Sequence, residues 1–177
     1  MKKGLIALTG VLWGMIILVP SVLAADLVEF ERGVGAVSFG PFAVRGVGQD
    51  IETWVTGKFS AHIKTNGDIK AEGEGLVQVT GLNFGTALRP VPAPLTTTTI
   101  NVFATLFCGS PIPATPVPTA HSSGDHPLSA SGNFHIVDVL TPTPPDPCAD
   151  PVLLIRIAEP NPADPRHWIA GGIVPKN

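Results

Sequence analysis

The sequence contains no tyrosine, only two cysteines, and charged side chains at just 14% of its 177 positions. Because nucleic acids are bound by clustered lysine and arginine, this sparse and slightly acidic charge excludes a nucleic-acid-binding protein. The same excess of acidic over basic residues opposes binding to anionic lipid. The missing tyrosine weakens the case for a carbohydrate-binding surface, since such surfaces depend on exposed aromatic rings.

Long apolar runs are also missing, except at the amino terminus. Two lysines precede an apolar stretch at 4–19, a proline then interrupts it, and small residues lead to Ala24. This pattern predicts a secretory signal peptide over residues 1–24, cleaved after Ala24 or alternatively after Ala25. An uncleaved membrane anchor is the rival interpretation, because the stretch is almost long enough to cross a bilayer.

The remainder, residues 25–177, is about 150 residues long, which suits a single secreted domain. Removing the leader takes two lysines from the 11 Lys and Arg and none of the 14 Asp and Glu. A net charge of about −5 is left with histidine neutral. We expect this domain to be periplasmic or extracellular, with no stable membrane insertion after cleavage.

Short apolar runs separated by glycine and proline predict β-strands throughout this domain. The segment "KFSAHIKT" (58–65) alternates apolar and polar residues, "NGD" (66–68) predicts a hairpin turn, and "IKAEGEGLVQVTGL" (69–82) returns with a bulge at its glycines. Further strands are expected at 27–31, 35–48, 98–108, 129–140, 151–157 and 166–174.

No segment shows a helical period, and the 19 glycines and 19 prolines oppose long helices. The expected fold is all-β: an antiparallel β-sandwich or partly open barrel with Pro/Gly-rich connectors and no substantial helix after the signal peptide.

The two cysteines each lie where a predicted strand meets a turn: Cys108 in "ATLFCGSP" and Cys148 in "PPDPCADPVLLIRI". An even cysteine count in an exported chain favours a disulfide. Free thiols, an intermolecular bridge, a metal site and a catalytic thiol are the alternatives. Asp146 and Asp150 flank Cys148 and disfavour the thiolate that catalysis would require. The 40-position separation means that a bridge would contribute about 4 kcal/mol by constraining the unfolded chain.

The segment "HSSGDH" (121–126) is the strongest local group of chemically active residues. His121, Asp125 and His126 could bind a borderline metal such as zinc or copper. The alternative is a polar surface loop whose composition reflects turn formation. Asp138 is expected on the solvent face of its strand, with a pairing to Arg156 as the alternative.

Catalytic motifs are missing as well. There is no "GxSxG" nucleophile elbow, and the glycine-rich segments lack the Lys-Ser/Thr of a phosphate-binding loop. No catalytic or cofactor-binding residue is predicted. His62 and His135 are expected to face solvent from strands, and Trp54 and Trp168 are expected to anchor the core.

Taken in order, the hairpin "NGDIKAEGEGLV", the strand that ends in Cys108, "PLSASGNFHIVDVL", the "PPDPCADPVLLIRI" step and the final "HWIAGG" resemble a broad group of small secreted bacterial proteins with two cysteines. The resemblance implies a signal-bearing β-sandwich with a disulfide and implies no activity. A looser similarity to the CHRD domain runs through "FSAHIKTNGDIKAEGEGL", without that domain's "AHIH"-like segment. Neither resemblance carries a functional residue to this chain.

The sequence therefore predicts an exported, non-enzymatic β-sandwich protein that acts as a structural or binding module of the cell envelope or exterior. Its partner would be another protein or a surface. A secreted metal-binding protein that uses His121–His126 is the first alternative, and a secreted hydrolase is the second.

Overall fold

The computed structural model describes residues 24–37, 43–50, 52–79, 100–109, 119–158 and 167–172, and all regular structure in these segments is β-strand. No helix in the described segments is long and apolar enough to cross a membrane. The predicted leader lies outside them, except for Ala24. The strands are β1 Asp26–Phe30, β2 Val34–Gly35, β3 Ala43–Val44, β4 Val47–Gly48, β5 Thr53–Val55, β6 Lys58–Lys64, β7 Asp68–Glu74, β8 Val77–Val79, β9 Asn101–Cys108, β10 Thr119–Ser122, β11 His126–Pro127, β12 Phe134–Val139, β13 Val152–Ile157 and β14 Trp168–Gly172.

The first sheet has four antiparallel strands in the order β1-β6-β7-β12. Its centre is the predicted hairpin of β6 and β7, which turns at Asn66 and Gly67. Gly67 has a φ of 91°, a conformation that costs glycine little because it has no Cβ. The Asn66 side-chain oxygen accepts a hydrogen bond from the Asp68 amide at 3.0 Å and stabilises the turn.

Alternation along β6 and β7 gives this sheet one dry and one wet face. The inward side chains are fully or almost fully buried: Phe59, Ala61, Ile63, Ile69 and Ala71. The outward ones are polar or charged and partly or fully exposed. The period-two pattern in the sequence therefore predicts both the hairpin and its buried face correctly.

The second sheet runs in the order β10-β9-β13-β14-β2, and β11 also pairs with β9. Its central strands are buried on both faces: seven of the eight residues of β9 and all five of β14 are buried. Two two-stranded sheets, β3-β4 and β5-β8, lie beside it. The larger sheets pack through one shared hydrophobic core, so the all-β sandwich is confirmed, and the strands do not close into a barrel.

The glycine of β7 is not a bulge. Gly73 pairs regularly with Phe59 on one side and Phe134 on the other. A Cβ placed on Gly73 would lie 2.1 Å from the Phe134 ring, so glycine is required here to admit that ring into the core. Gly75 lies beyond the end of β7 with a φ of 67°, where the chain turns towards β8.

Candidate functional site

The two cysteines form a disulfide at one end of the second sheet. Cys108 is the last residue of β9, and Cys148 belongs to the connector that leads to β13. Because β9 and β13 are neighbours, with Phe107 opposite Val152, the bridge closes the end of a ladder that already pairs. The Gly109 amide also donates to the Ala149 carbonyl at 2.6 Å beside it. The pair is therefore a structural cross-link.

His121 is a core residue, not part of a surface loop. It lies on β10 opposite Leu106, so its imidazole faces the space between the sheets and is only 3% exposed. Its Nδ1 lies 2.7 Å from the Pro142 carbonyl oxygen. Because a carbonyl only accepts, Nδ1 is the donor in this hydrogen bond. Nε2 has no hydrogen-bond partner.

The other two predicted metal ligands lie apart from His121. His126 begins β11 and places Nε2 3.2 Å from Asp138 Oδ2, whereas the side chain of Asp125 is exposed. Within the described segments, no three histidine, cysteine, aspartate or glutamate side chains lie close enough to hold a metal ion. The structure thus does not bring His121, Asp125 and His126 together as a ligand set.

Asp138 connects the two sheets at their shared corner. Asp138 lies on the same side of β12 as the buried residues Phe134 and Ile136, so its side chain points inward. Its expected placement on the solvent face was wrong. Asp138 Oδ2 accepts from the Gly124 amide at 2.7 Å and lies against His126, while Oδ1 accepts from the Val139 amide at 2.7 Å. The hydrogen bonds described for Asp138 go to Gly124, His126 and Val139, and Arg156 stacks over the Phe103 ring at 5.1 Å.

These contacts set the charge state of Asp138. Partial burial raises the pKa of its carboxyl, but the hydrogen bonds from the Val139 amide, from His126 and from the Gly124 amide together outweigh it. The net result is a pKa below the ordinary value, because each bond is made to the charged form. Asp138 is therefore a charged structural acceptor.

The outer face of the first sheet carries histidine and carboxylate side chains in cross-strand rows. His62 Nε2 lies 3.1 Å from Glu29 Oε1, and His135 Nε2 lies 3.3 Å from Glu72 Oε1. In one row, Ser60, Glu72 and His135 occupy successive strands. The carboxylate stands in the middle, and strands are about 4.8 Å apart, so hydroxyl and imidazole are separated by about 10 Å. A nucleophile needs its base within hydrogen-bond reach, so this row is not a catalytic triad.

An open cleft of about 540 Å³ lies at one end of the same sheet. We call it the Arg32 cleft. Its described lining residues come from the chain after β1, the start of β6 and the end of β7. Its lining residues are Glu31, Arg32, Gly33, Gly57, Lys58, Phe59, Ser60, Glu72, Gly73 and Glu74.

Most charges in the Arg32 cleft are already paired. Lys58 Nζ lies 2.9 Å from Glu74 Oε2, and Lys70 Nζ lies 2.8 Å from Glu72 Oε1. The hydrogen bond and charge of Lys70 lower the pKa of Glu72. Arg32 differs from these residues, because its exposed guanidinium has no ion-pair or hydrogen-bond partner among the described residues. The cleft thus presents one available planar cation among neutralised pairs.

The sequence predicted the strands that border this cleft, but it did not predict the cleft. Strand alternation indicates that Lys58, Glu72 and Glu74 share a face. Arg32, however, approaches them only because the chain leaves β1 across the end of the hairpin, and no local pattern encodes that path. The comparisons with known proteins add no further guide: no family model, no curated protein and no solved structure matches this chain.

Proposed function

We propose that this protein is an exported, non-enzymatic β-sandwich that binds a protein partner through the Arg32 cleft. The leader pattern at 1–24 supports export. The Cys108–Cys148 disulfide fits the same destination, because such bonds persist mainly in oxidising compartments. The single observation that carries the binding role is a concave site with a guanidinium that has no partner in the described part of the chain.

The chemistry of the cleft favours binding over catalysis. Among the described lining residues, Ser60 is the one with a hydroxyl side chain, and the carboxylate opposite it is Glu72. Lys70 stabilises the charged form of Glu72 and lowers its pKa, which makes this carboxylate a poor general base at neutral pH. The described lining residues therefore include no activated nucleophile, although the Arg32 guanidinium is a strong anion-recognising group.

The guanidinium and its surroundings indicate the kind of segment that fits. A guanidinium binds a carboxylate through two parallel hydrogen bonds. Two exposed valines lie next to the cleft along the chain: Val34 follows Gly33, and Val55 precedes Gly57 by two residues. A partner segment that presents a carboxylate between apolar side chains would use both features.

The export half of the proposal is tested by expressing the whole chain with its own leader in a bacterial host. We expect mature protein in the periplasm or medium, starting after Ala24 or Ala25, with an intact mass that rises by two hydrogens on reduction. Unprocessed protein retained in the cytoplasm, or free thiols in the exported form, would contradict export with a structural disulfide.

The binding half is tested by titrating isotopically labelled mature protein with two short peptides, one alternating valine and glutamate and the other valine and lysine. The acidic peptide should shift the amide resonances of Gly33, Gly57 and Gly73. Arg32→Glu should weaken its binding by about tenfold or more, whereas Arg32→Lys should retain part of it.

The matched control for this titration is Arg45→Glu. Arg45 donates from its guanidinium to the Asp150 carbonyl, outside the cleft. Equal shifts with both peptides, or equal losses from the substitutions at Arg32 and Arg45, would reject the cleft as the binding site.

A further inference from the structure

The hairpin of β3 and β4 is a separate strip of chain beside the second sheet. Within the described segments these two strands pair with each other alone, Ala43 with Gly48 and Val44 with Val47. A two-stranded hairpin is only marginally stable by itself in water. Contacts with the rest of the domain must therefore hold it in place. We call residues 43–50 the strap.

The base of the strap is anchored by backbone and apolar contacts. Gln49 forms a parallel bridge with Trp168 at the start of β14, and the Asp50 amide donates to the Trp168 carbonyl at 3.2 Å. Val44 and Val47 are partly buried and pack against the hydrophobic core. These contacts tie the base of the hairpin to the second sheet and rest its two strands on the core.

The tip of the strap is held by an arginine side chain. Arg45 donates from Nη2 to the Asp150 carbonyl oxygen at 2.6 Å. Arg45 and Gly46 both have a positive φ, 56° and 79°, which is the backbone conformation of a tight two-residue hairpin turn. Such a turn favours asparagine, aspartate or glycine at its first position. The turn itself does not require an arginine, so the contribution of Arg45 lies in its contact with Asp150.

Two features make the contact between Arg45 and Asp150 easy to open. Nη1 of the same guanidinium is buried and has no hydrogen-bond partner, so the closed strap satisfies one part of this group and dehydrates another. Asp150 has a φ of 43°, a left-handed conformation that costs a residue with a Cβ more than it costs glycine. The contact therefore depends on whatever keeps Asp150 in this conformation.

The end of β9 keeps Asp150 in place through two contacts. Cys148 lies two residues before Asp150, and its disulfide joins this segment covalently to the last residue of β9. Ala149 lies between them, and its carbonyl accepts from the Gly109 amide at 2.6 Å. When the covalent contact is lost, Asp150 can relax out of the left-handed region, and its carbonyl then turns away from Arg45.

We propose that the strap is a redox-sensitive element of this fold. Reduction of the Cys108–Cys148 disulfide by a dithiol releases Arg45 from Asp150 and lets the hairpin leave the second sheet, while the first sheet stays folded. One thiolate of the dithiol attacks Cys148, which is less buried than Cys108, and Cys108 leaves as a thiolate. The second thiol of the reductant then displaces Cys148. The protein gains two hydrogens, and the dithiol becomes a disulfide.

The proposed opening goes beyond the binding function and does not depend on it. The described lining of the Arg32 cleft contains no residue of the strap, and the cleft lies on the first sheet. Opening would expose Val44 and Val47 together with their neighbour Trp168, so the redox state would set how much apolar surface the second sheet presents to solvent.

The test is hydrogen exchange at the Val44 and Val47 amides of the mature protein, oxidised and reduced with dithiothreitol, with and without Arg45→Met. In the oxidised protein, Arg45→Met should speed this exchange by about tenfold, because a hydrogen bond from a charged donor is lost. In the reduced protein, the same substitution should change it by less than about twofold, because the contact is already open. Arg32→Met is the matched control, and it should leave both amides unchanged in either redox state.

The amides of β6 and β7 report on the rest of the domain in the same experiment. They should keep most of their protection in the reduced protein, as expected if reduction releases the strap and does not unfold the chain. No effect of Arg45→Met in the oxidised protein, an equal effect in both redox states, an equal effect of Arg32→Met, or complete loss of protection in β6 and β7 on reduction would each overturn the proposal.

Discussion

The two sheets of the sandwich bury their strands in different ways. The first sheet has one wet face, and the residues of β6 and β7 alternate between core and surface. The second sheet has strands such as β9 and β14 that are buried on both faces and read as continuous apolar runs. The charged rows and the Arg32 cleft lie on the first sheet, whereas the disulfide lies on the second.

The difference separates two tasks within one domain. A sheet buried on both faces contributes most of the apolar burial, so it stabilises the fold and leaves little surface for recognition. A sheet with one wet face can carry charged and exposed groups at little cost to the core. Substitutions should therefore affect stability most in the second sheet, and interactions with other molecules most in the first.

The largest effect is expected from removing the disulfide. The double substitution of Cys108→Ala and Cys148→Ala should lower the free energy of unfolding by about 4 kcal/mol, because the unfolded chain regains the freedom of a 40-position loop. Urea unfolding measures this loss. Native-state hydrogen exchange should show the Phe107 end of β9 losing more protection than the β6–β7 hairpin. A loss below about 1 kcal/mol, or equal loosening of both sheets, would contradict this division.

A smaller effect is expected where the first sheet meets the core. Gly73→Ala should destabilise by about 1–3 kcal/mol, since the new methyl group collides with the Phe134 ring. Phe134→Leu in the same chain should relieve the collision, so the two substitutions should be less than additive in a double-mutant cycle. Additive losses would mean that the glycine serves some purpose other than admitting the ring.

The same contrast explains how much of the structure the sequence could predict. Along β6 and β7, alternation fixes which side chains face inward, and Asn66-Gly67 fixes the register, so the hairpin follows from local pattern alone. In β9 and β13, continuous apolar runs identify strands, but they do not show which side chains share a face. The pairing order of these strands could therefore not be predicted.

Polar residues at inward positions were the least predictable. His121 and Asp138 lie in polar or mixed segments, where an outward orientation is the usual outcome. Their partners, Pro142 and Gly124, are 21 and 14 positions away and are set by how the two sheets meet. The segment "HSSGDH" suggests a metal ligand set because the sequence does not show that β10 directs the His121 side chain into the core.

The smallest effect is expected at the corner where the two sheets meet. The pKa of Asp138 is lowered in the folded protein, so its charged form stabilises the fold above the unfolded-state value of 3.8. That contribution is lost as pH falls through 3.8 towards the lower folded value. Asp138→Asn should therefore cost about 1 kcal/mol at neutral pH and progressively less below pH 3.8.

Thermal or urea unfolding of wild type and Asp138→Asn across this pH range measures the effect. Asp125→Asn is the matched control, because it removes a carboxylate that is exposed in the same turn. This substitution should change the free energy of unfolding little at any pH. If the loss of unfolding free energy in Asp138→Asn stayed constant as the solution was acidified, lost packing would be its cause and not the loss of the charged carboxylate. The corner would then be held by the Ser122–Thr141 backbone bonds, and the two sheets would be joined without any pH-dependent contact.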